Sequence, residues 1–153
     1  MQKNVLEYLE NSIKKYPEKI AFSDENNQYT YKEFSEAAKK VAVRISKDTK
    51  SINRPIAVFV NRDVESLICF FAVLYSANFY VPIDSKMPKQ RIEKVIEQVN
   101  PIAVLYTNED SELVHEVAKN TCKISASEVI KEENCLEEEL VELNEKRKKI
   151  LDV

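Results

Sequence analysis

Few side chains in this sequence have the type and spacing for acid–base or metal chemistry. His115 is the only histidine, and it stands beside Val114 in a segment whose pattern predicts an amphipathic helix. One histidine and three cysteines without CxxC spacing do not form a zinc site. We interpret His115 as a partly exposed helix residue. The sequence predicts no catalytic residue, no cofactor-binding residue and no metal ligand.

Two aspartates follow segments that are predicted to be strands. Asp63 comes after the apolar run 55–60, and Asp84 comes after the run 80–83. Open α/β sheets bind ligands at the carboxyl ends of their strands, so either carboxylate could contact a ligand. Aspartate is also a preferred N-cap, and each of the two precedes a predicted helix. We expect Asp63 and Asp84 to act as cap or turn residues.

Composition limits the classes of protein to which the chain can belong. Its 153 residues are 44% hydrophobic and 32% charged with a net charge of −3, which is typical of a globular domain. No stretch is long and apolar enough for a signal peptide or a membrane span. We predict that Cys69, Cys122 and Cys135 are reduced thiols of a cytoplasmic protein. We expect neither nucleic acid nor a membrane as partner.

The chain contains no glycine, whereas average usage of about 7% would give roughly 11. Loops that cradle phosphates need glycine, because the backbone must approach the phosphate closely. The sequence therefore has neither a P-loop nor a dinucleotide-binding fingerprint.

The central elements are a very apolar helix and the strand that follows it. Residues 67–75 are apolar on every side, so we expect this helix to be buried, with Phe70 and Phe71 packed inside. Residues 79–83 have the aromatic and β-branched composition of a strand. Pro82 cannot donate to a ladder, so this strand should be short or irregular near its end.

The remaining pattern predicts an α/β fold. Asn4 should cap a helix that ends near Tyr16, and a β-hairpin follows with arms 20–22 and 29–31 and a turn at 25–28. Asn tolerates positive φ, so this turn does not need glycine. Thr30 and Glu33 have capping-box spacing before an amphipathic helix. Its apolar stripe consists of Phe34, Ala37, Ala38, Val41, Ala42 and Ile45.

Strands and helices then alternate along the chain. The predicted strands are apolar runs at 55–60, 80–83, 102–106 and 122–124, and the later helices cover 88–99 and the region of Leu113 to Ala118. Continuous apolar strands separated by helices favour a parallel sheet covered on both faces. The expected fold class is an open three-layer α/β sandwich with a mostly parallel sheet, preceded by a helix and a β-hairpin.

Two motifs resemble core motifs of adenylation domains, the AMP-forming acyl and aminoacyl ligase superfamily. LYSANFYVPID at 74–84 is similar to the second core motif, with Tyr75, Ser76 and Ala77 in place of its lysine, alanine and glycine. YTYKEF at 29–34 is similar to the first core motif. The strings PKQR at 88–91 and NPIAVLYT at 100–107 follow in the order of that family, which makes residues 1–130 similar to its N-terminal α/β subdomain.

Residues 131–153 form a second region that is dense in charge. An apolar stripe of Leu136, Leu140, Val141 and Leu143, with i,i+4 pairs Glu142–Lys146 and Glu145–Lys149, predicts a solvated helix. In the resembling family such a segment leads to the loop that holds the ATP phosphates. The resemblance thus predicts that the chain is an N-terminal fragment that lacks this loop.

The resemblance implies a function for the parent protein. It would be an ATP-dependent ligase that uses ATP and Mg²⁺ to activate a carboxylate as an acyl adenylate. YVPID and PKQR are closest to amino-acid adenylation domains of nonribosomal peptide synthetases, so the carboxylate is expected to be an amino acid. The implied partners are the remainder of the adenylation domain and a phosphopantetheinyl carrier protein, with coenzyme A as the other acceptor. The fragment itself is expected to be catalytically incompetent.

A second interpretation remains open: a stand-alone α/β interaction or scaffold module with no ATP chemistry. Receiver-type and flavodoxin-type folds also alternate strands and helices along the chain. A receiver needs an acidic cluster and a late lysine, and a flavodoxin needs a phosphate loop after its first strand. The residues Asn61, Arg62 and Asp63 do not form such a loop.

Overall fold

The computed structural model describes residues 1–133 and 137–151. The predictions that concern Cys135, Leu136, Asp152 and Val153 lie outside these residues. Seven α-helices and six strands are described. They are α1 (Val5–Lys15), β1 (Ile20–Ser23), β2 (Gln28–Thr30), α2 (Tyr31–Thr49), β3 (Pro55–Val60), α3 (Val64–Tyr75), β4 (Phe79–Asp84), α4 (Lys89–Val99), β5 (Ala103–Tyr106), α5 (Ser111–Val117), β6 (Cys122–Ser125), α6 (Ala126–Lys131) and α7 (Glu137–Leu151).

The main sheet has four strands in the order β4-β3-β5-β6, and every neighbouring pair is parallel. Helices α2, α3 and α6 cover one face, where Ile56 and Val58 of β3 are buried. Helices α4 and α5 cover the other face, where Ala57 and Phe59 are buried. The predicted three-layer α/β fold is confirmed.

A separate two-stranded antiparallel sheet, β1–β2, precedes this domain core. The predicted turn was placed one residue too far along the chain, since Gln28 already belongs to β2 and Tyr31 begins α2. The turn does not use positive φ at asparagine. Instead, the Asp24 carboxylate accepts hydrogen bonds from the N–H groups of Asn26 and Asn27 at 2.8 and 2.7 Å.

The predicted capping box at the start of α2 is confirmed. The N–H of Glu33 donates to Thr30 Oγ1 at 3.2 Å, and the Thr30 N–H donates to Glu33 Oε2 at 2.9 Å. The whole predicted apolar stripe of α2 is buried. The helix runs to Thr49.

The prediction that α3 is buried on every side is wrong for one flank. Ile68 and Cys69 are completely buried, but Leu67 is 36% exposed and Phe70 and Phe71 are only half-buried. The main sheet ends at β4, so in the described part of the chain no strand lies beyond the Phe70 ring, which packs on Tyr80 of β4 with ring centroids 4.6 Å apart. Phe71 instead packs edge-on against Phe34 of α2, with ring centroids 5.4 Å apart.

The prediction that Pro82 makes β4 short or irregular is also wrong. β4 keeps its register with β3 from Phe79 to Asp84. The N–H of Phe79 donates to Arg54 O at 3.2 Å, so alternate residues of β4 bond to β3. Because of this alternation the backbone nitrogen of Pro82 faces the free side of β4. Its lack of an N–H therefore removes no hydrogen bond between β4 and β3.

A chain without glycine must use other residues where φ is positive. Lys50 and Asn100 adopt left-handed φ values of 51° and 46° at the carboxyl ends of α2 and α4. Ala77 has φ 61° in the turn between α3 and β4, at the position where the adenylation motif has glycine. Its Cβ makes this conformation costly, by roughly 1–2 kcal/mol.

Helix α7 packs against α2 and α3 rather than lying free in solvent. Leu143 is buried, whereas Val141 of the predicted stripe is 59% exposed. The Glu142–Lys146 pair forms at 2.6 Å. The guanidinium of Arg147 lies 5.1 Å from the ring centroid of Tyr75 on α3. No helix in the described part of the chain is long and apolar enough to cross a lipid bilayer.

Candidate functional site at the carboxyl edge of the sheet

A cleft of about 1000 Å³ lies beyond the carboxyl ends of β3 and β4. The hairpin turn at residues 24–27 lines it together with Val60, Pro82 and Glu109. This is where open α/β sheets bind ligands, so the cleft is the first candidate site.

The N-terminus of α3 opens toward this cleft, and two carboxylates already occupy its free amides. The N–H of Ser66 donates to Asp63 Oδ1 at 2.7 Å, which confirms Asp63 as the predicted cap. The N–H of Val64 donates to Asp24 Oδ2 at 2.8 Å, across the gap to the hairpin. A helix N-terminus attracts anions through these free amides, and here the protein supplies the anions itself.

The pKa of the Asp24 carboxyl reflects this position. The hydrogen bond from the Val64 N–H, followed by those from Asn26 and Asn27, lowers the pKa of Asp24 from its ordinary value. Hydrogen bonds donated to the charged form of a carboxylate favour that form. The hairpin turn is therefore attached to α3 by an ionised side chain.

Asp84 has the predicted turn role after β4. The N–H of Lys86 donates to Asp84 Oδ1 at 2.9 Å, which shapes the connection into α4. Helix α4 itself begins after Pro88 without a side-chain cap.

A polar network joins the ends of three strands beside the cleft. The amide of Asn61, after β3, donates to Asp110 Oδ2 at 2.6 Å and lies 3.4 Å from Thr107 Oγ1. The hydroxyl of Ser85, after β4, donates to Asn61 Oδ1 at 3.2 Å. Asp110 is only 6% exposed, and burial raises the pKa of its carboxyl, while the hydrogen bond from Asn61 opposes this rise.

The charge around the cleft does not suit a polyphosphate. Carboxylates outnumber the two cations, Arg62 and Lys86, among the lining residues. The described residues also include no group of three histidine, cysteine or carboxylate side chains that could hold a metal ion. The lining is therefore predominantly negative, which disfavours the phosphates of a nucleotide at this position.

The other chemically reactive side chains lie away from the cleft. His115 is exposed on α5, where its Nδ1 lies 2.7 Å from the Ser111 carbonyl oxygen, as expected for a helix surface residue. Cys69 and Cys122 are free thiols, and Cys69 is fully buried. Burial raises the pKa of both thiols.

Sequence reasoning found the two aspartates after the strands but missed the groups they work with. Asn61, Ser85 and Asp110 each lie within a few residues of a strand end, so a survey of all polar residues at strand ends would have found them. Asp24 carries no such signal, because its partner Val64 is 40 residues away in the chain.

Comparison with known proteins gives the family. The sequence model of the AMP-binding enzyme family matches residues 9–152. Tyrocidine synthase 1 of Brevibacillus parabrevis is 27% identical over 115 residues, which are 75% of this chain and 11% of that synthase. The D-alanine–D-alanyl carrier protein ligase of Staphylococcus epidermidis is 25% identical over 108 residues, which are 71% of this chain and 21% of the ligase.

A solved structure has the same fold. The fatty acyl-adenylate ligase from L. pneumophila, in complex with acyl adenylate and pyrophosphate, superposes with a TM-score of 0.73 and 14% identity over 84% of this chain. The match occupies 24% of that ligase, so the chain spans about a quarter or less of each of these three proteins. The family match extends from α1 to the end of α7, and the chain belongs to the AMP-binding enzyme family.

Proposed function

We propose that this chain forms the N-terminal part of an ATP-dependent ligase that activates a carboxylate as an acyl adenylate. The observation that carries the proposal is the family match over residues 9–152. The motifs at 29–34 and 74–84 lie in that span, and the structure assigns both to the framework: the first begins α2, and the second forms the turn and strand after α3.

The substrate is proposed to be an amino acid, and the acceptor a thiol of a carrier protein. Two of the similar proteins support this choice by their names, a tyrocidine synthase and a D-alanyl carrier protein ligase. The YVPID string at residues 80–84 supports it as well. Free Cys69 and Cys122 suit a protein of the reducing cytoplasm, where we place this one.

ATP and Mg²⁺ are proposed to bind to other parts of the ligase. In the cleft at the carboxyl edge, Asp24 and Asp63 accept hydrogen bonds from the first amides of α3, and carboxylates outnumber cations among the lining residues. Because the sequence contains no glycine, these residues cannot form a glycine-rich phosphate loop. We therefore propose that residues 1–153 alone do not form an adenylate.

The test compares two proteins, the complete gene product and residues 1–153 alone. The complete protein should exchange labelled pyrophosphate into ATP only when an amino acid is added. In isothermal titration, residues 1–153 alone should show no ATP·Mg²⁺ site tighter than millimolar.

Two results would contradict the proposal. A micromolar ATP site in residues 1–153 alone would show that they hold nucleotide. A complete protein that gives no exchange with amino acids or fatty acids would favour the interaction module over the ligase.

A further inference from the structure

Helix α7 is attached to the rest of the domain by few apolar contacts. Among residues 137–150 only Leu143 is buried, and Leu140 packs against the core while partly exposed. Helix α2, against which α7 packs, buries eight residues from Phe34 to Ile45. Segments with few buried apolar contacts open at a lower free energy than the core. We therefore expect α7 to open more readily than the sheet.

One side chain of α7 opposes the docking of its own helix. Glu139 Oε1 lies 2.9 Å from Lys47 Nζ of α2. The second oxygen, Glu139 Oε2, is buried and has no hydrogen-bond partner among the described residues. A buried acceptor without a partner costs free energy, because water would bond to it in the open position. Burial of Leu143 therefore favours the closed position of α7, and burial of Glu139 Oε2 opposes it.

A cation of α7 lies over a buried aromatic ring of α3. The Cζ atom of Arg147 is 5.1 Å from the ring centroid of Tyr75, which is 2% exposed. Lys39 Nζ of α2 lies 5.5 Å from the same centroid, and the Tyr75 hydroxyl donates to Glu10 of α1. A cation is attracted to the face of such a ring, and more strongly where water is partly excluded. Four helices thus meet at one ring, and α7 joins them through Arg147.

The aromatic ring at this point is a departure from the adenylation motif. Tyr75 stands where the motif at residues 74–84 has lysine. The ammonium group of a lysine would repel the guanidinium of Arg147, whereas the ring attracts it. The attachment of α7 at this point is therefore a property of this sequence and not of the motif.

We propose that α7 opens and closes on α2 and α3 as a unit while the sheet stays folded, and that Arg147 on Tyr75 is the contact that holds it closed. This inference goes beyond the proposed function and does not depend on it. Leu143 and Glu139 contribute in opposite directions, so the Arg147 contact decides the balance. Because that contact and the Lys47–Glu139 pair are electrostatic, salt weakens both and favours the open position. Opening exposes the faces of α2 and α3 around Lys47 and Tyr75.

Hydrogen–deuterium exchange of the complete protein, followed by mass spectrometry, tests the inference with matched variants. Arg147→Ala removes the cation over the ring, and Lys148→Ala removes a cation from the exposed neighbouring position of the same helix. We expect the α7 amides to exchange faster in Arg147→Ala than in Lys148→Ala by a factor of about three or more, the effect of one partly exposed cation–π contact. Arg147→Lys keeps a cation and should restore most of the protection. Peptides of β3 should exchange at the same rate in all variants.

Salt supplies a second measurement, on the unmodified protein. Raising the ionic strength from about 0.01 M to about 1 M shortens the Debye length from about 30 Å to about 3 Å. Exchange of the α7 amides should then accelerate by a factor of about three or more, while exchange in β3 and β5 stays unchanged. Salt should act less on Arg147→Ala, because one of its two electrostatic contacts is missing.

Three outcomes would overturn the inference. They are equal α7 exchange in the two alanine variants, α7 exchange that changes only together with β3 and so reports global unfolding, and α7 exchange that salt does not alter. If Arg147→Ala does not fold, the salt series on the unmodified protein decides alone. These measurements use neither ATP nor an amino acid, so their outcome is independent of the proposed ligase activity.

Discussion

Two edges of one sheet have opposite character. At the carboxyl edge, polar groups meet and bond to one another, as Asn61 does with Asp110 and as Asp24 does with the first amide of α3. Along the free side of β4, Tyr80 is 40% exposed and lies against the half-buried ring of Phe70, and β4 has no second strand neighbour in the described residues. The cleft where this kind of fold usually binds ligands is therefore lined by polar groups that bond to one another, whereas the free side of β4 carries exposed aromatic side chains.

This difference indicates how the two edges contribute to the stability of the fold. The hydrogen bonds at the carboxyl edge stabilise the fold and hold the hairpin on α3. Apolar surface left exposed at the free side of β4 forgoes about 25 cal/mol for each Å² that burial would remove from water.

The largest effect is expected at the carboxyl edge, from Asn61→Ala. This change removes the Asn61 donor to Asp110, whose carboxyl is 6% exposed and also accepts from Ser85. Loss of a hydrogen bond to a charged group costs about 1.5–3 kcal/mol. We expect a loss of about 2 kcal/mol in the free energy of unfolding, measured by urea denaturation at pH 7.

Two controls separate this effect from truncation in general. Asn120→Ala makes the same chemical change at an exposed position and should stay within about 0.5 kcal/mol of the unmodified protein. Phe79→Ala in β4, where the side chain is 48% exposed, should also cost less than Asn61→Ala. If the order were reversed, the side chains at the free side of β4 would belong to the core and the comparison of the two edges would fail.

A smaller effect, of opposite sign, is expected at the turn that leads into β4. Ala77 holds φ 61°, which costs roughly 1–2 kcal/mol for a residue with Cβ, and glycine relieves this cost. Glycine also increases the conformational entropy of the unfolded chain, which lowers stability by about 0.4–1 kcal/mol. Ala77→Gly should therefore stabilise by roughly 0.5–1 kcal/mol in urea denaturation. Ala72→Gly, inside α3, should destabilise; stabilisation by both changes would contradict the explanation.

The smallest effect is a pH dependence at Asp24. Its pKa is lowered in the folded protein, chiefly by the Val64 N–H, so its stabilising contribution is present above the ordinary aspartate pKa of about 3.8. The contribution is lost as pH falls through the lowered value. The stability difference between the unmodified protein and Asp24→Asn should therefore shrink below about pH 4.

Glu25→Gln is the control for this titration. It removes a charge from the same turn without altering the three hydrogen bonds to Asp24. Parallel pH profiles for Asp24→Asn and the unmodified protein would show that Asp24 does not attach the hairpin to α3.

The pattern of apolar residues was sufficient to predict most of the elements. The helix after Thr30 was predicted because burial on one face of a helix repeats every 3.6 residues. The strand at 55–60 and the later strands were predicted because strands buried on both faces are continuous apolar runs. The residue types at the helix starts were sufficient to predict the caps at Thr30 and Asp63. The pattern did not show α6, a helix of six residues, because fewer than two helical turns repeat the apolar spacing too few times to be recognised.

The sequence by itself determined the α/β class, the caps and the resemblance to adenylation domains, because these depend on residues close together in the chain. Tertiary structure decided that Asp24 caps a helix 40 residues away and that Asn61 meets Asp110 across 49 residues. It also decided that one flank of α3 is uncovered and that the Pro82 backbone faces the free edge. Such contacts depend on which strand lies at the edge of the sheet, and the packing of distant segments sets that order.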